Sequence, residues 1–384
     1  AIDLRFIITA LKINNDLERI GDLAVNIAER SQFISSQRPI GIPALEDKIV
    51  QGAVAEVLSA VYEADFIGFS YGFRPGRSPH QGLHAVRDLI HTRHISFILD
   101  VDIRQFFDTL DRRVFYDLLH RRVNDGGLDR LFGKWFNAGI LDGEQLSYTD
   151  QGTAQGSVIG PSIANIYLHY VMDEWFIREV QPRLKGRCFL VRFADDAVLG
   201  FEYEEDACRV RDVLFKRLER YGLTAHAKKT RLVKFTGPPK GAGKDRTNRT
   251  FDFLGFTHIC GQGSDKRFRL IRRTSRKKRR AKLAALRGEM RKRTHDPPAE
   301  QHRWLTSVLH GHYNYYGVPG NFRAMASFRN QVRSAWHRRL QRRSQRAQWT
   351  EVQRDAFDAR YLLPLPRIKH PHSFDRFGAK HSAP

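Results

Sequence analysis

Cysteine is scarce in this chain: Cys188, Cys208 and Cys260 are the only three, and none stand in a C-x-x-C spacing. That excludes a disulfide framework and a cysteine-built zinc site, and it points to a reducing compartment. No run of eighteen consecutive apolar residues occurs, so no segment is expected to span a membrane. The sequence opens at Ala1 without a basic-then-apolar leader, so no secretory signal is expected, and the missing initiator Met suggests a fragment. Acidic residues are in short supply, 42 against 65 Lys and Arg, for a net charge of +23 over 384 residues. Such a surplus favours a polyanionic partner, nucleic acid above all. The surplus is uneven: twelve Lys or Arg and a single Glu lie between Ile271 and His295, and Arg338, Arg339, Arg342, Arg343 and Arg346 cluster further on.

Among the apolar stretches, Cys188 to Phe201 (CFLVRFADDAVLGF) carries two adjacent carboxylates, Asp195 and Asp196. The flanking runs read as strands, so the spacing predicts a hairpin with both carboxylates at its tip. Two neighbouring carboxylates repel, which makes a dry tip a poor place for them without a cation. A solvated turn is the plain alternative. Upstream, Phe97 to Asp111 (FILDVDIRQFFDTLD) forms a second acidic strand with an aromatic pair, Phe106 and Phe107. Laid beside the hairpin it would bring three carboxylates round one cavity. Such a cavity suits two Mg²⁺ ions and in-line phosphoryl transfer.

The Asp-Ile-x-x-Phe-Phe-Asp strand followed by a Phe-Ala-Asp-Asp hairpin resembles the reverse transcriptases encoded by bacterial group II introns. The likeness runs from about Gln37 to the C-terminus, over several motifs in the family's order. It implies an α+β fold: a right-hand polymerase palm with truncated fingers, an all-α thumb or maturase domain, and an extra helix in front. The expected boundaries are 1–36, 37–265 and 266–384. By resemblance, Asp102, Asp195 and Asp196 are the catalytic, metal-binding carboxylates, holding two Mg²⁺ (Mn²⁺ as the alternative), with Asp196 less directly bound. The Ile103 backbone carbonyl is a further metal ligand. Phe107 matches the bulky residue beneath the sugar that excludes a 2′-hydroxyl; ordinary core packing is the competing reading.

Other motifs fill in the site. RPIGIPALEDKIVQGAVAEVL matches the family's fingers segment, where Arg38 would contact the incoming triphosphate. Lys48 to Tyr62 reads as a helix. Tyr71 to Arg77 is a Gly/Pro-punctuated loop near the template, in which Arg74 is either a phosphate or base contact or a spare surface Arg. GTAQGSVIGPSIANIYLHYVMDEWF, from Gly152, is a loop and helix whose Gln155 and Gly156 lie against nucleotide and template. Its helix shows Leu168, Val171, Met172 and Trp175 on one face. In LTAHAKKTRLVKF, Lys229 is the general acid near the leaving pyrophosphate, with Lys228 the adjacent alternative. FDFLGF, from Phe251, resembles a primer-grip turn, and His258 is expected to pack and not to bind metal.

The two ends differ from this centre. Ile13, Leu17, Ile20, Leu23, Ala24 and Ile27 recur at helical spacing, and DLERIGDLAVNIAER resembles PhoU-type phosphate-uptake regulators. There Glu18 and Asp22 would be metal ligands; a solvated helix face is the other reading. The join is expected between Ser35 and Ile40. At the C-terminal end, basic helices interleave with aromatics. This resembles the maturase-specific domain X, with Arg276, Lys277, Lys278, Arg279, Arg280, Tyr313, Tyr315 and Tyr316 gripping RNA. The resemblance implies an RNA-directed DNA polymerase acting on a primer 3′-OH. Its partners would be RNA template, intron RNA, DNA primer or target and dNTPs, in a bacterial cytoplasm without membrane contact. The alternative is a catalytically impaired maturase that assists intron folding or splicing without DNA synthesis.

Overall fold

The computed structural model describes residues 45–137, 140–142, 145–147, 152, 157–227, 229–235, 249–262, 268–343 and 349–370. Along the chain run α1 (Leu45–Tyr62), α2 (Pro79–Thr92), β1 (Phe97–Val101), α3 (Phe106–Thr109), α4 (Arg112–Leu119), α5 (Gly126–Phe136), β2 (Ile140–Asp142) and β3 (Gln145–Ser147). Then come α6 (Gly160–Leu168) with two π turns (His169–Asp173, Phe176–Val180), β4 (Cys188–Phe193), β5 (Asp196–Phe201), α7 (Glu204–Arg220) and β6 (Arg231–Lys234). The last part holds β7 (Thr250–Phe253), β8 (Phe256–Gln262), β9 (Phe268–Thr274), α8 (Arg276–Lys292), α9 (Pro298–Tyr316), α10 (Phe322–Gln341) and α11 (Glu351–Arg360). The class is α+β, as the motifs imply. The described residues fall into two compact units, one drawn from 45–82 and 101–232, the other from 83–100 and 233–370. The N-terminal stretch with Glu18 and Asp22 lies outside the described residues.

The first unit is built on the antiparallel β4–β5 hairpin, with Cys188 opposite Phe201 and Phe193 opposite Asp196. Both strands are buried over most of their length, which is why the sequence shows continuous apolar runs and not a two-residue alternation. Pro161 fits the start of α6, where its missing N–H has no partner to lose. Downstream of it Leu168, Val171, Met172 and Trp175 are all buried, as their spacing requires. In α7 the stripe Ala207, Val210, Leu214 and Leu218 is buried likewise. Asp111 caps α4 through the Arg113 and Val114 amides, and Asp125 caps α5 through that of Leu128. Each such cap is worth about 1 kcal/mol.

The second unit joins a sheet to a helical bundle. Its sheet has the order β7-β8-β9, all antiparallel, with His258 opposite both Phe251 and Arg272. His258 is fully buried and stacks on Phe251 at 4.6 Å, so it packs as expected. Burial lowers its pKa to about 3, which keeps the imidazole neutral. Leu283, Leu286 and Met290 from α8, Leu305 and Leu309 from α9, and Met325, Phe328, Val332 and Trp336 from α10 form the bundle's core. Trp336 donates its indole N–H to Gln301 Oε1 at 2.7 Å, satisfying the one polar atom of a wholly buried ring. Asn321 ties bundle to sheet: its Oδ1 accepts the Thr274 amide at 2.9 Å and its Nδ2 donates to the Tyr316 carbonyl.

Candidate active site

The β4–β5 turn places Ala194 and Asp195 at the hairpin tip, closed by the Phe193–Asp196 pair. Ala194 has φ of 55°, a left-handed conformation that costs a residue with a Cβ on the order of 1 kcal/mol. The cost is offset by a buried clamp. Arg192, one residue inside β4, donates Nη1 to the Ala194 carbonyl at 2.9 Å and to Asn165 Oδ1 at 3.2 Å. Its Nε and Nη2 meet both oxygens of Asp173, at 2.8 and 2.5 Å, and neither side chain of this pair is solvent-exposed. Asn165 passes the constraint on, donating Nδ2 to the Gly72 carbonyl at 2.7 Å. A Cβ at Gly72 would lie 2.3 Å from the Ala194 nitrogen, so the Tyr71–Arg77 loop touches the tip backbone to backbone.

Asp102 follows β1, where His226 donates its amide to the Asp102 carbonyl at 2.8 Å and Ile103 bridges Ala225. The side chain of Ile103 is buried. Lys229 Nζ lies 2.7 Å from Asp102 Oδ2. Burial pushes the Asp195 carboxyl above the ordinary carboxylate range, and the charge of Asp102 adds to the shift. Asp195 therefore lies within the field of a like charge. Asp196 is exposed where Asp102 and Asp195 are half-buried, and among the described residues no group of three or more His, Cys, Asp or Glu is arranged to hold a metal ion. The physical reason is local. Asp195 occupies the turn, and Asp196 already belongs to β5, opposite Phe193. Two carboxylates remain, which is the number Mg²⁺ commonly takes from protein alongside water and substrate phosphate. An ammonium already sits on one of them, so the donor set fits a cation.

Phe107 is half-buried between Phe106, 5.3 Å away ring to ring, and the start of α6, where a Cβ on Gly160 would touch its ring at 3.5 Å. Phe106 takes the core position instead, 2% exposed. Gly152 has φ of +77°, and a Cβ there would meet the Phe107 carbonyl oxygen at 2.5 Å; only glycine fits. Arg38, Gln155, Gly156 and Lys228 lie outside the described residues.

Several expected RNA contacts are placed otherwise. The Arg74 guanidinium is buried and fully engaged, with Glu63 at 2.7 and 3.0 Å and the carbonyls of Ile67 and Ser70 at 2.7 and 2.9 Å. It braces its own loop. Tyr313 is 2% exposed in the bundle core and donates to the Pro364 carbonyl at 3.0 Å. Tyr315 donates to the Leu254 carbonyl at 2.9 Å, and Tyr316 packs against Phe256 and beside Gly255. These rings seat the Leu254–Gly255 turn, where both residues have positive φ. Of the basic run, Arg276, Lys277, Lys278 and Arg280 are exposed and Arg279 is half-buried.

The clamp was not among the residues singled out from sequence. Its signal was nonetheless present: an Arg inside an apolar strand and an Asp inside an apolar helix are charges that a core admits only as a pair.

Comparison with known proteins shows the family. The reverse transcriptase (RNA-dependent DNA polymerase) family matches residues 27–258, and the chain belongs to that family. A PhoU domain matches residues 1–31. Group II intron-encoded protein LtrA of Lactococcus lactis subsp. cremoris is 38% identical over 133 residues, 34% of this chain and 22% of that protein. Protein YkfC of Escherichia coli K12 is 37% identical over 136 residues, 34% of this chain and 35% of that protein. A Thermotoga maritima phosphate-specific transport system accessory protein PhoU homolog is 44% identical over 61 residues, 16% of this chain and 26% of that protein. The chain thus spans about a fifth to a third of the length of these curated relatives. Among the described residues no helix is long and apolar enough to cross a membrane.

Proposed function

We propose that this chain is an RNA-directed DNA polymerase of the group II intron type that extends a primer 3′-hydroxyl with dNTPs and binds RNA through its second unit. The observation that carries the reading is Asp195 on a strained hairpin tip clamped by a wholly buried ion pair, its carboxyl facing the charge of Asp102 strongly enough to be held more protonated. Holding two like charges together costs free energy that a bound cation returns. Asp102 and Asp195 are the residues that would hold Mg²⁺, with Mn²⁺ as the alternative. Once bound, the metal supplies Lewis-acid stabilisation of the entering and leaving oxygens. Phe107 limits the space beneath the nucleotide sugar and so disfavours a 2′-hydroxyl. Lys229, whose ammonium already reaches Asp102, holds the proton that the departing pyrophosphate takes up. The relatives named for group II introns support RNA template and intron RNA as partners, in the cytoplasm of a bacterium.

The test is primer extension on poly(rA)/oligo(dT). The wild-type chain incorporates dTTP in Mg²⁺, and Asp195→Asn abolishes incorporation while RNA affinity stays within about twofold, since the basic surface is untouched. Synthesis by Asp195→Asn at the wild-type rate would remove Asp195 from the site.

A second reading is favoured by one contact. The Lys229–Asp102 pair neutralises a carboxylate without metal, as suits an RNA-binding maturase that assists intron folding or splicing and does not polymerise. It predicts tight intron RNA binding with no primer extension in any divalent cation, and no gain of extension in Lys229→Ala.

A further inference from the structure

The helices α8 and α10 of the second unit run together and leave an open groove of about 570 Å³ between them. Its walls carry Arg287 from α8 and Phe322, Arg323, Ser327, Asn330, Gln331, Ser334 and Arg338 from α10. A smaller hollow of about 110 Å³ continues it, sharing Arg287 and Arg338 and adding Arg291 and Arg342. On α10 the positions 323, 327, 330, 334 and 338, with Arg342 at its C-terminal cap, advance by three or four, a single helical stripe on the order of 30 Å long. The other stripe of the same helix, with Met325, Phe328, Val332 and Trp336, is in the core. The charged positions of the groove face therefore stand outside the core.

Its chemistry is one-sided. Arg287, Arg291, Arg323, Arg338 and Arg342 are all exposed, and among the described residues none of these five guanidinium groups has a hydrogen-bond or ion-pair partner. No Asp or Glu lines either hollow. The neighbouring Arg339 differs, donating Nε to Thr294 Oγ1 at 2.7 Å. At the mouth stands Phe322, an aromatic ring 51% exposed at the first position of α10. A row of unpaired cations calls for a polyanion. An open aromatic face calls for something flat to stack on it, and side-chain amides and hydroxyls call for hydrogen-bonding groups between the two.

We propose that the α8–α10 groove binds an unpaired polynucleotide strand, its phosphates along the arginine row and a base stacked on Phe322. A duplex would offer phosphates but no free base face to Phe322; an acidic protein segment would satisfy the arginines and leave the amide-lined floor and the ring unused. The strand is RNA or single-stranded DNA, which share this chemistry. The site deepens the RNA-binding part of the proposed function and is distinct from the Arg276–Arg280 run.

The test uses the full chain and fluorescence anisotropy with labelled oligo(U), oligo(dT) and a short RNA duplex, each about a dozen nucleotides long, over a salt series. The triple variant Arg287→Gln/Arg323→Gln/Arg338→Gln should lose tenfold or more in oligo(U) affinity at low salt. Its log K against log salt slope should become shallower by about 2, at roughly 0.7 for each single-strand phosphate no longer neutralised. Arg113→Gln/Arg130→Gln/Arg183→Gln, which removes the same charge from exposed positions elsewhere, should change the slope by less than about 0.5. Phe322→Ala should weaken binding about fivefold or more with the slope unchanged, since stacking releases no counterions. If the triple variant melts early, Arg338→Gln alone carries the test, with a slope shallower by about 0.7. An equal loss on oligo(dT) makes the groove a site for either strand, and a loss on oligo(U) alone makes it an RNA site. Groove variants that behave like the control set, or that lose duplex binding alone, would overturn the proposal. A wild-type chain that binds no RNA at low salt overturns the proposed function itself; one that binds RNA regardless of the groove overturns only this inference.

Discussion

Arg192 and Arg338 carry the same guanidinium into opposite surroundings. The first is wholly buried and makes four hydrogen bonds, to Asp173, Asn165 and the Ala194 carbonyl. The second is exposed beside an open groove with no partner among the described residues. In the first unit, charge is spent on geometry: it fixes the strained turn that carries Asp195. In the second unit, charge is kept available. A cation taken out of water must be fully satisfied inside the protein, whereas one left in water can be satisfied by a ligand. Substitutions should therefore cost stability in the first region and binding in the second.

The sharpest break in that contrast comes from the clamp. Asp173→Ala leaves Arg192 buried without its counter-ion and should destabilise the chain by about 3–5 kcal/mol, read as a lower urea midpoint. Replacing both partners, Arg192→Met with Asp173→Leu, should recover most of that loss, because a desolvated pair is often no better than apolar packing. Primer extension should not return with it, since the Ala194 carbonyl still lacks its donor. A double variant that regained full synthesis would show that the clamp stabilises without positioning anything.

Glycine offers the same contrast in a smaller amount. Gly72→Ala places a Cβ against the Ala194 nitrogen, with only backbone to give way, and should cost about 1–3 kcal/mol along with synthesis. Gly288 lies within α8, and a Cβ there meets nothing within 4 Å. Gly288→Ala should stabilise the chain by about 0.5–1 kcal/mol and leave RNA affinity unchanged. Thermal melts of the two variants should move in opposite directions.

Legibility from sequence followed the same division. The hairpin, its tip residues and the buried face of Leu168, Val171, Met172 and Trp175 could be read because each rests on local periodicity or a short turn. Asp102 and Asp195 came from motif order, and the Asp102 charge adds to the upward shift of the Asp195 carboxyl. Asp196 was read together with Asp195 from their adjacency, and the structure gives the two different settings: Asp195 in the turn, Asp196 exposed at the start of β5. Arg74 and the three tyrosines were harder still. Arg in a Gly/Pro loop, and Tyr beside His and Gly, fit RNA contacts in composition, but an ion pair to Glu63 just before the loop and long-range packing against Pro364 and the Leu254–Gly255 turn give them structural partners. The groove escaped because its stripe becomes visible only once the apolar face of α10 is known to be occupied.

Asp195 gives a pH-dependent form of the comparison. Its carboxyl ionises at higher pH in the folded chain than in the unfolded one, so the folded state keeps its proton longer. The stability this proton confers is present below the unfolded carboxyl range and is lost as pH rises through the folded value. Asp195→Asn has no proton to lose. Without divalent cations, the variant and the wild type should melt alike in acid, and the variant should melt higher at neutral pH. Millimolar Mg²⁺ should then raise the melting temperature of the wild type more than that of the variant. An equal response of both to Mg²⁺ would detach Asp195 from metal binding.

The least effect on stability is expected where the chain is most charged. Arg276, Lys277, Lys278 and Arg280 are exposed, and Arg279 is half-buried at the edge of the same helical turn. Replacing all five by Gln should keep the helix, because Gln is nearly as good a helix former as Arg or Lys. Removing five like charges from one turn also relieves repulsion, so the melting temperature should stay level or rise slightly, within about 0.5 kcal/mol. If the run binds RNA, the log K against log salt slope should become shallower by about 0.7 to 0.9 for each phosphate it no longer neutralises. An unchanged slope would leave the run as a solvated face and assign RNA affinity elsewhere in the second unit. A large loss of stability would be the more damaging result: it would mean that exposed charge here holds the fold together, as buried charge does at the hairpin, and the distinction between the two regions would fail.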